Sequence, residues 1–283
     1  MTLDHFYEIY PQQTKIINGK DFVYRYYKNE NAESTLVLLT GGIGLSDLFF
    51  MHFDRFAKDF SVITFDYPVC YPTMDEFADA VAELMKKLGI KAWLVGQSLG
   101  GAAAQIITKR HPEIVEGLVL SNTAAVQDSG GSKEYFEGMK KRQQKSRRMI
   151  KLMPFWLVKK VFMKGIGKKM EKLPPEHKET FEGMADVMLR MLTKEHELHM
   201  IDMLIDCGNH LDISKKDFEF LSGRVMLVIN EDDETFSVET KQQLIDVMTN
   251  PTVVREKNGG HLGALMDIEN YVVSVVNYIS SRP

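Results

Sequence analysis

Four short apolar runs, each followed by a helical stretch, constrain this chain more than any other feature. They lie at residues 35–40, 61–65, 92–95 and 117–120. Each is too short for a core helix, and none alternates apolar with polar residues, so both faces of each strand must be buried. The stretches between them carry helical spacing. Leu48, Phe49, Phe53 and Phe56 recur after Ser46 or Asp47 as a cap. Phe77, Val81, Leu84, Met85 and Leu88 share one face between a cap at Thr73 or Asp75 and a stop at Gly89. Short strands joined by helical crossovers predict an α/β fold with a mostly parallel sheet covered on both sides.

The same order returns late in the chain, with strands at 224–229 and 252–256, a helix at 238–248 and a last helix after Gly263. Ahead of the first parallel strand, residues 14–28 form two strand-like runs broken by Asn18-Gly19, a hairpin signal. Residues 127–220 contain no strand pattern. They carry helical stretches, most of the methionines, and breaks at Pro154 and Pro174-Pro175. The expected organisation is a core of residues 1–126 and 221–283 with an inserted helical cap at 127–220.

Charge singles out the same block. From Lys133 to Lys172 the chain carries +11, against −15 for the remainder. Its lysines would suit an anionic substrate or a membrane surface, or simply a solvated helix face. Nothing in it has the pattern of a nucleic-acid-binding motif. Cys70 and Cys207 supply neither a disulfide framework nor metal-ligand spacing. The first residues are acidic with no apolar run, and no stretch of 18 apolar residues exists. The expectation is therefore a cytoplasmic protein without membrane insertion, metal or cofactor, and of open oligomeric state.

The third strand ends in Val95-Gly96-Gln97-Ser98-Leu99-Gly100-Gly101 and runs straight into an alanine-rich helix. Gly-x-Ser-x-Gly between strand and helix makes a turn so sharp that side chains beside it would clash. It holds a serine at the tip with its hydroxyl exposed, near a helix N-terminus that favours negative charge. Ser98 is thus the candidate nucleophile. It needs a base, and the base needs a carboxylate. Of eight histidines, His261 stands out in Asn258-Gly259-Gly260-His261, a flexible loop after an apolar strand. The carboxylate should follow the strand at 224–229, where Glu231, Asp232, Asp233 and Glu234 all qualify. Oxyanion donors are expected from the N–H of Leu99 and from the loop Thr40-Gly41-Gly42-Ile43-Gly44, at Gly42 with Ile43 as the alternative. Ile43 and Gln97 beside the serine, and Met153 and Trp156 in the helical block, are the residues expected to touch substrate.

Together these motifs resemble the α/β-hydrolase superfamily, in order and over residues ~20–122 and ~222–281. The resemblance implies that fold, a cap, and an acid three residues after a strand-ending glycine. Asn230 stands in that glycine's place, which points to Asp233 rather than Asp232. Two departures bear on the acyl pocket: Thr40-Gly41 where the family often has His-Gly, and Asp66-Tyr67-Pro68 where it usually has Asp-x-x-Gly-x-Gly. The implied activity is that of a serine hydrolase acting on a carboxylic ester or related acyl compound, a small-molecule acyl substrate of open acyl length. The alternatives are a carbon–carbon bond hydrolase or acyl thioesterase, and a non-catalytic ligand receptor on the same fold.

Overall fold

The computed structural model describes residues 1–170, 182, 185 and 187–282; Pro174-Pro175 lie outside them. Eight strands form one sheet: β1 (Gln12–Ile17), β2 (Lys20–Tyr27), β3 (Thr35–Leu39), β4 (Ser61–Thr64), β5 (Ala92–Gln97), β6 (Val115–Ser121), β7 (Val225–Asn230) and β8 (Thr252–Glu256). Their spatial order is β1-β2-β4-β3-β5-β6-β7-β8. β1 and β2 are the expected antiparallel hairpin, turned at Asn18 (φ 49°) and Gly19 (φ 77°). β2 meets β4 antiparallel, and every pairing from β4 to β8 is parallel.

Alternate residues of the central strands enter two different cores, which is why these strands read as unbroken apolar runs. Val37, Leu39, Leu94 and Leu118 join one core. Leu36, Leu38, Trp93 and Val119 join the other. The first core is covered by α3 (Met74–Leu88) and α4 (Leu99–Arg110). Thr73 caps α3 by accepting the Glu76 N–H, and Gly89 closes it in the left-handed region at φ 70°. The second core holds the aromatic side chains of α1 (Leu3–Ile9) and α2 (Phe50–Phe56).

One local expectation fails, and one helix was missed. Ser46 and Asp47 do not cap α2; they begin a 3₁₀ turn and are buried. The Ser46 N–H and hydroxyl both donate to Asp66, while Asp47 accepts the Tyr7 hydroxyl beside Arg25. Tertiary partners there outcompete the local cap. The helix α1 was not legible, since seven residues have too little helical stability of their own. Phe6 is held by Phe50 and Phe53 at ring separations of 5.9 and 5.5 Å.

Between β6 and β7 the described chain is helical: α5 (Gly130–Leu152), α6 (Phe155–Met170) and α7 (Lys194–Cys207). Pro154 separates α5 from α6, as expected. The segment leaves and re-enters the sheet layer side by side, through an antiparallel bridge between Gln127 and Asp212 and a bond from the Ile213 N–H to the Val126 carbonyl. After β7 come α8 (Val238–Val247) and, following β8, α9 (Gly263–Met266) and α10 (Ile268–Ser280). No described helix is long and apolar enough to cross a membrane.

Candidate active site

The turn at Ser98 has the geometry its glycines imply. A Cβ on Gly96 would lie 2.3 Å from the Gly100 carbonyl oxygen, and one on Gly100 would lie 2.0 Å from that of Leu39. Backbone meets backbone at both places, so no side chain fits. Ser98 itself sits at φ 54°, ψ −115°, a strained conformation that costs about 1–3 kcal/mol and survives only where its surroundings over-determine it. They do so here. The Ser98 N–H donates to Ser121, and its carbonyl accepts from Gly101, Ala102 and the Thr123 hydroxyl. The side chain is left half-buried at the start of α4, where helical N–H groups lack partners within the helix.

One imidazole reaches it. His261 Nε2 lies 2.9 Å from Ser98 Oγ, and His261 Nδ1 lies 2.9 Å from Asp233 Oδ2. The carboxylate can only accept, so Nδ1 carries the proton and Nε2 receives the serine hydroxyl. The other described histidines are engaged elsewhere or buried apart: His52 donates to the Ala264 carbonyl, His111 meets Asp79, His210 meets Asp206, His196 donates to the Ile43 carbonyl and His5 meets Glu8. His199 is buried, and His177 lies outside the described residues.

Asp233 is almost fully buried. Burial pushes its carboxyl up, but the bond to His261, the imidazole's charge and the Thr235 N–H outweigh this, and the net shift is downward. Asp232 has a separate job. Both of its oxygens accept the Gly260 N–H, at 3.1 and 3.0 Å. Adjacent acids thus grip one loop, Asp233 by the imidazole and Asp232 by the backbone beneath it.

The histidine loop rests on three buried amides. Asn122 Nδ2 donates to Asn230 Oδ1 (2.7 Å) and to the Gly260 carbonyl (3.1 Å). Asn230 Nδ2 donates to the Asn258 carbonyl (2.6 Å), and Gln97 Nε2 to that of His261 (3.0 Å). Asn230 also explains Gly263, where a Cβ would lie 2.3 Å from Nδ2. Gln97 is therefore a support under the loop. Expected beside substrate, it is instead buried with its amide occupied.

The loop after β3 lies against the serine. A Cβ on Gly41 would sit 2.5 Å from Gln97 Oε1 and 3.5 Å from Ser98 Cβ. From the other side α7 covers the loop. Leu204 packs over Gly42, Met200 packs over Gly44, and His196 donates to the Ile43 carbonyl at 2.7 Å. Ile43 is thus tied to α7 through its carbonyl.

A small cavity opens beside Ser98. Ala102, Thr123 and Ala124 form its core side; Tyr135, Phe136 and Met139 of α5, Leu204 of α7 and Phe236 enclose it. No charged residue is among the described residues lining it. Neither Met153 nor Trp156 reaches it. Trp156 is 67% exposed, because it occupies the outward face of α6, and Met149 and Met163 are exposed as well. The residues that sequence reasoning missed are Asn122, Tyr135, Phe136 and Phe236. Only Asn122 left a signal, as a polar residue ending an apolar strand.

With this geometry in view, the sequence profile described as alpha/beta hydrolase fold matches residues 34–266. The chain belongs to the alpha/beta-hydrolase family. It is 37% identical over 75 residues to Protein NDRG1 of Xenopus tropicalis, covering 25% of this chain and 18% of that one. It is 30% identical over 119 residues to a putative carbamate hydrolase, RutD, of Pantoea ananatis, covering 37% and 43%. The chain thus matches less than half the length of these curated relatives. A hydrolase from Pseudomonas aeruginosa has the same fold, with a TM-score of 0.74 at 15% identity over 96% of this chain and 99% of that one.

Proposed function

We propose that this alpha/beta-hydrolase family member is a serine hydrolase of carboxylic esters with compact, apolar acyl groups. The observation that carries the reading is the unbroken line from Asp233 through His261 to Ser98, two bonds of 2.9 Å each. In this reading Ser98 Oγ attacks the acyl carbon as His261 Nε2 takes its proton. Asp233 holds the ring and offsets the charge of the imidazolium. The N–H groups of Leu99 and Gly42 receive the oxyanion. His261 then protonates the departing alcohol, and water, activated by the same imidazole, releases the acid from Ser98. These steps call for no metal or organic cofactor.

The apolar lining beside Ser98 supports a small uncharged acyl group. It withdraws support from a carboxylate-bearing substrate, because no described lysine of the helical segment lines that cavity. Residues 127–220 act in this reading as the cap over the site, with α5 and α7 supplying the outer wall. The partial match to a putative carbamate hydrolase makes carbamates the second acyl class to try.

The test is turnover of p-nitrophenyl esters of graded acyl length, acyl-CoA thioesters and an aryl carbamate, with fluorophosphonate labelling, in wild type and Ser98→Ala. Ester turnover and labelling that both vanish in the variant are expected. Labelling at Ser98 without turnover of any ester would move the activity to thioester or carbon–carbon substrates. Neither signal would leave a ligand receptor built on this fold.

A further inference from the structure

The exposed surface of the consecutive helices α5 and α6 combines two features that the proposed chemistry does not use. The first is charge. Residues 138–170 contain twelve lysines and arginines and no acid. Lys141, Lys145, Arg148, Lys151, Lys160 and Lys164 are exposed, and no carboxylate pairs with them among the described residues. The second is apolar surface at the turn between the helices. Leu152 is 86% exposed and Trp156 67%, with Met149, Val161 and Met163 also open to solvent.

Helical spacing puts these groups together. Lys141, Lys145, Arg148 and Leu152 follow one another at intervals of three and four along α5, and along α6 Trp156, Lys160 and Lys164 are spaced by four, with Met163 three residues after Lys160. A merely solvated basic helix would carry lysines without a bare leucine and tryptophan at its tip. A core-facing stripe would have buried them. Exposed apolar residues among cations unpaired by any described carboxylate fit the boundary of an anionic bilayer, where tryptophan settles at the headgroup level and lysines meet phosphates. The strongly negative remainder of the chain would be repelled by the same surface, so the charge asymmetry also sets orientation.

We propose that the α5–α6 tip is a peripheral docking surface for anionic lipid bilayers, seating Leu152 and Trp156 in the interface. The inference is independent of the esterase reading.

Co-sedimentation of the whole protein with vesicles of phosphatidylcholine alone, or of phosphatidylcholine with phosphatidylglycerol, tests it. Binding to the anionic vesicles only is expected, weakening as salt rises. Each basic side chain lost should cost about fivefold in partitioning, so K145E/R148E should lose about 25-fold or more. L152S/W156S should also release the protein while leaving short-ester turnover unchanged. Of the two tryptophans, Trp93 is buried, so a blue shift of emission on vesicle binding reports Trp156. Equal binding to both vesicle types, no binding to either, or variants that bind like wild type would overturn the proposal. So would tight polyuridylate binding in its place, or concentration-dependent self-association that buries Trp156 without vesicles.

Discussion

Asn122 and Asn230 bind each other in both directions: Asn122 Nδ2 donates to Asn230 Oδ1 at 2.7 Å, and Asn122 Oδ1 accepts the Asn230 N–H at 2.9 Å. The pair locks the carboxyl ends of β6 and β7 together beneath the loop that carries His261. Asn122 does so from φ 42°, a left-handed conformation that asparagine tolerates better than most residues. Asn122→Ala removes one partner and strands the Asn230 backbone N–H and Oδ1. A loss of about 1–3 kcal/mol is expected, read as a lower urea midpoint. Ester kcat should fall with it while KM changes little, because the imidazole loses its footing rather than the substrate its cavity.

Adjacent acids should separate in kinetics. Asp233→Asn would favour the wrong imidazole tautomer and reduce kcat by about 10⁴. Asp232→Asn keeps the tautomer and weakens only the hold on the Gly260 N–H, so a loss of a few-fold is expected. Measuring kcat for both variants on one ester checks the assignment, and reversed magnitudes would exchange their roles.

Three glycines near the serine should respond differently to alanine. Gly100→Ala drives a methyl into the Leu39 carbonyl, and backbone cannot step aside, so the variant should fail to accumulate as folded protein. Gly41→Ala meets Gln97 Oε1 at 2.5 Å, a side chain that can shift only by releasing the His261 carbonyl; it should fold and lose activity. Gly42→Ala finds Leu204 at an ordinary 3.5 Å and should fold at wild-type stability. Circular dichroism melts of the three rank them directly.

Acid should destabilise the fold through buried imidazoles. Burial lowers both His52 and His199 to about 4, below the ordinary histidine value. The unfolded chain then binds more protons than the native one between about pH 6.5 and pH 4, so stability rises with pH across that window. Asp233, whose carboxyl is held low, contributes stability at higher pH that is lost further into acid, as pH falls through its folded value. Unfolding free energies from urea titrations at pH 7, 5.5 and 4.5 should therefore decline, and His199→Asn should flatten the slope.

Enlarging the cavity should change acyl preference. Met139→Ala removes a side chain from the wall opposite Ala102 and Thr123, and the optimum among p-nitrophenyl esters should move to longer acyl chains. An unchanged profile would place the acyl group elsewhere.

What could be read in the sequence follows from which forces are local. Strands buried on both faces are unbroken apolar runs, so β3 to β7 were visible as such. The turn at Ser98 was visible because only glycine fits at 96 and 100. His261 was visible because glycines precede it. Among the four acids, composition could not choose; burial and a partner mark Asp233 in the structure, while resemblance had pointed to it in the sequence. The roles of Gln97, Asn122 and Asn230 were opaque, since the carbonyls they bind come from residues far away in the chain, and Asn122 showed only as a polar residue ending an apolar strand. Ser46 and Asp47 looked like caps because local hydrogen bonding was all the sequence offered them. Trp156 looked like pocket lining because periodicity cannot say which face of a helix meets the core.

The order of the sheet also has a consequence for synthesis. Ser98 leaves the ribosome with β5, near the middle of the sheet, whereas Asp233 follows β7 and His261 follows β8, the edge strand. Chains emerge amino end first. A growing polypeptide therefore exposes Ser98 well before His261 is made, and the triad proposed above can assemble only once the last strand has been laid down.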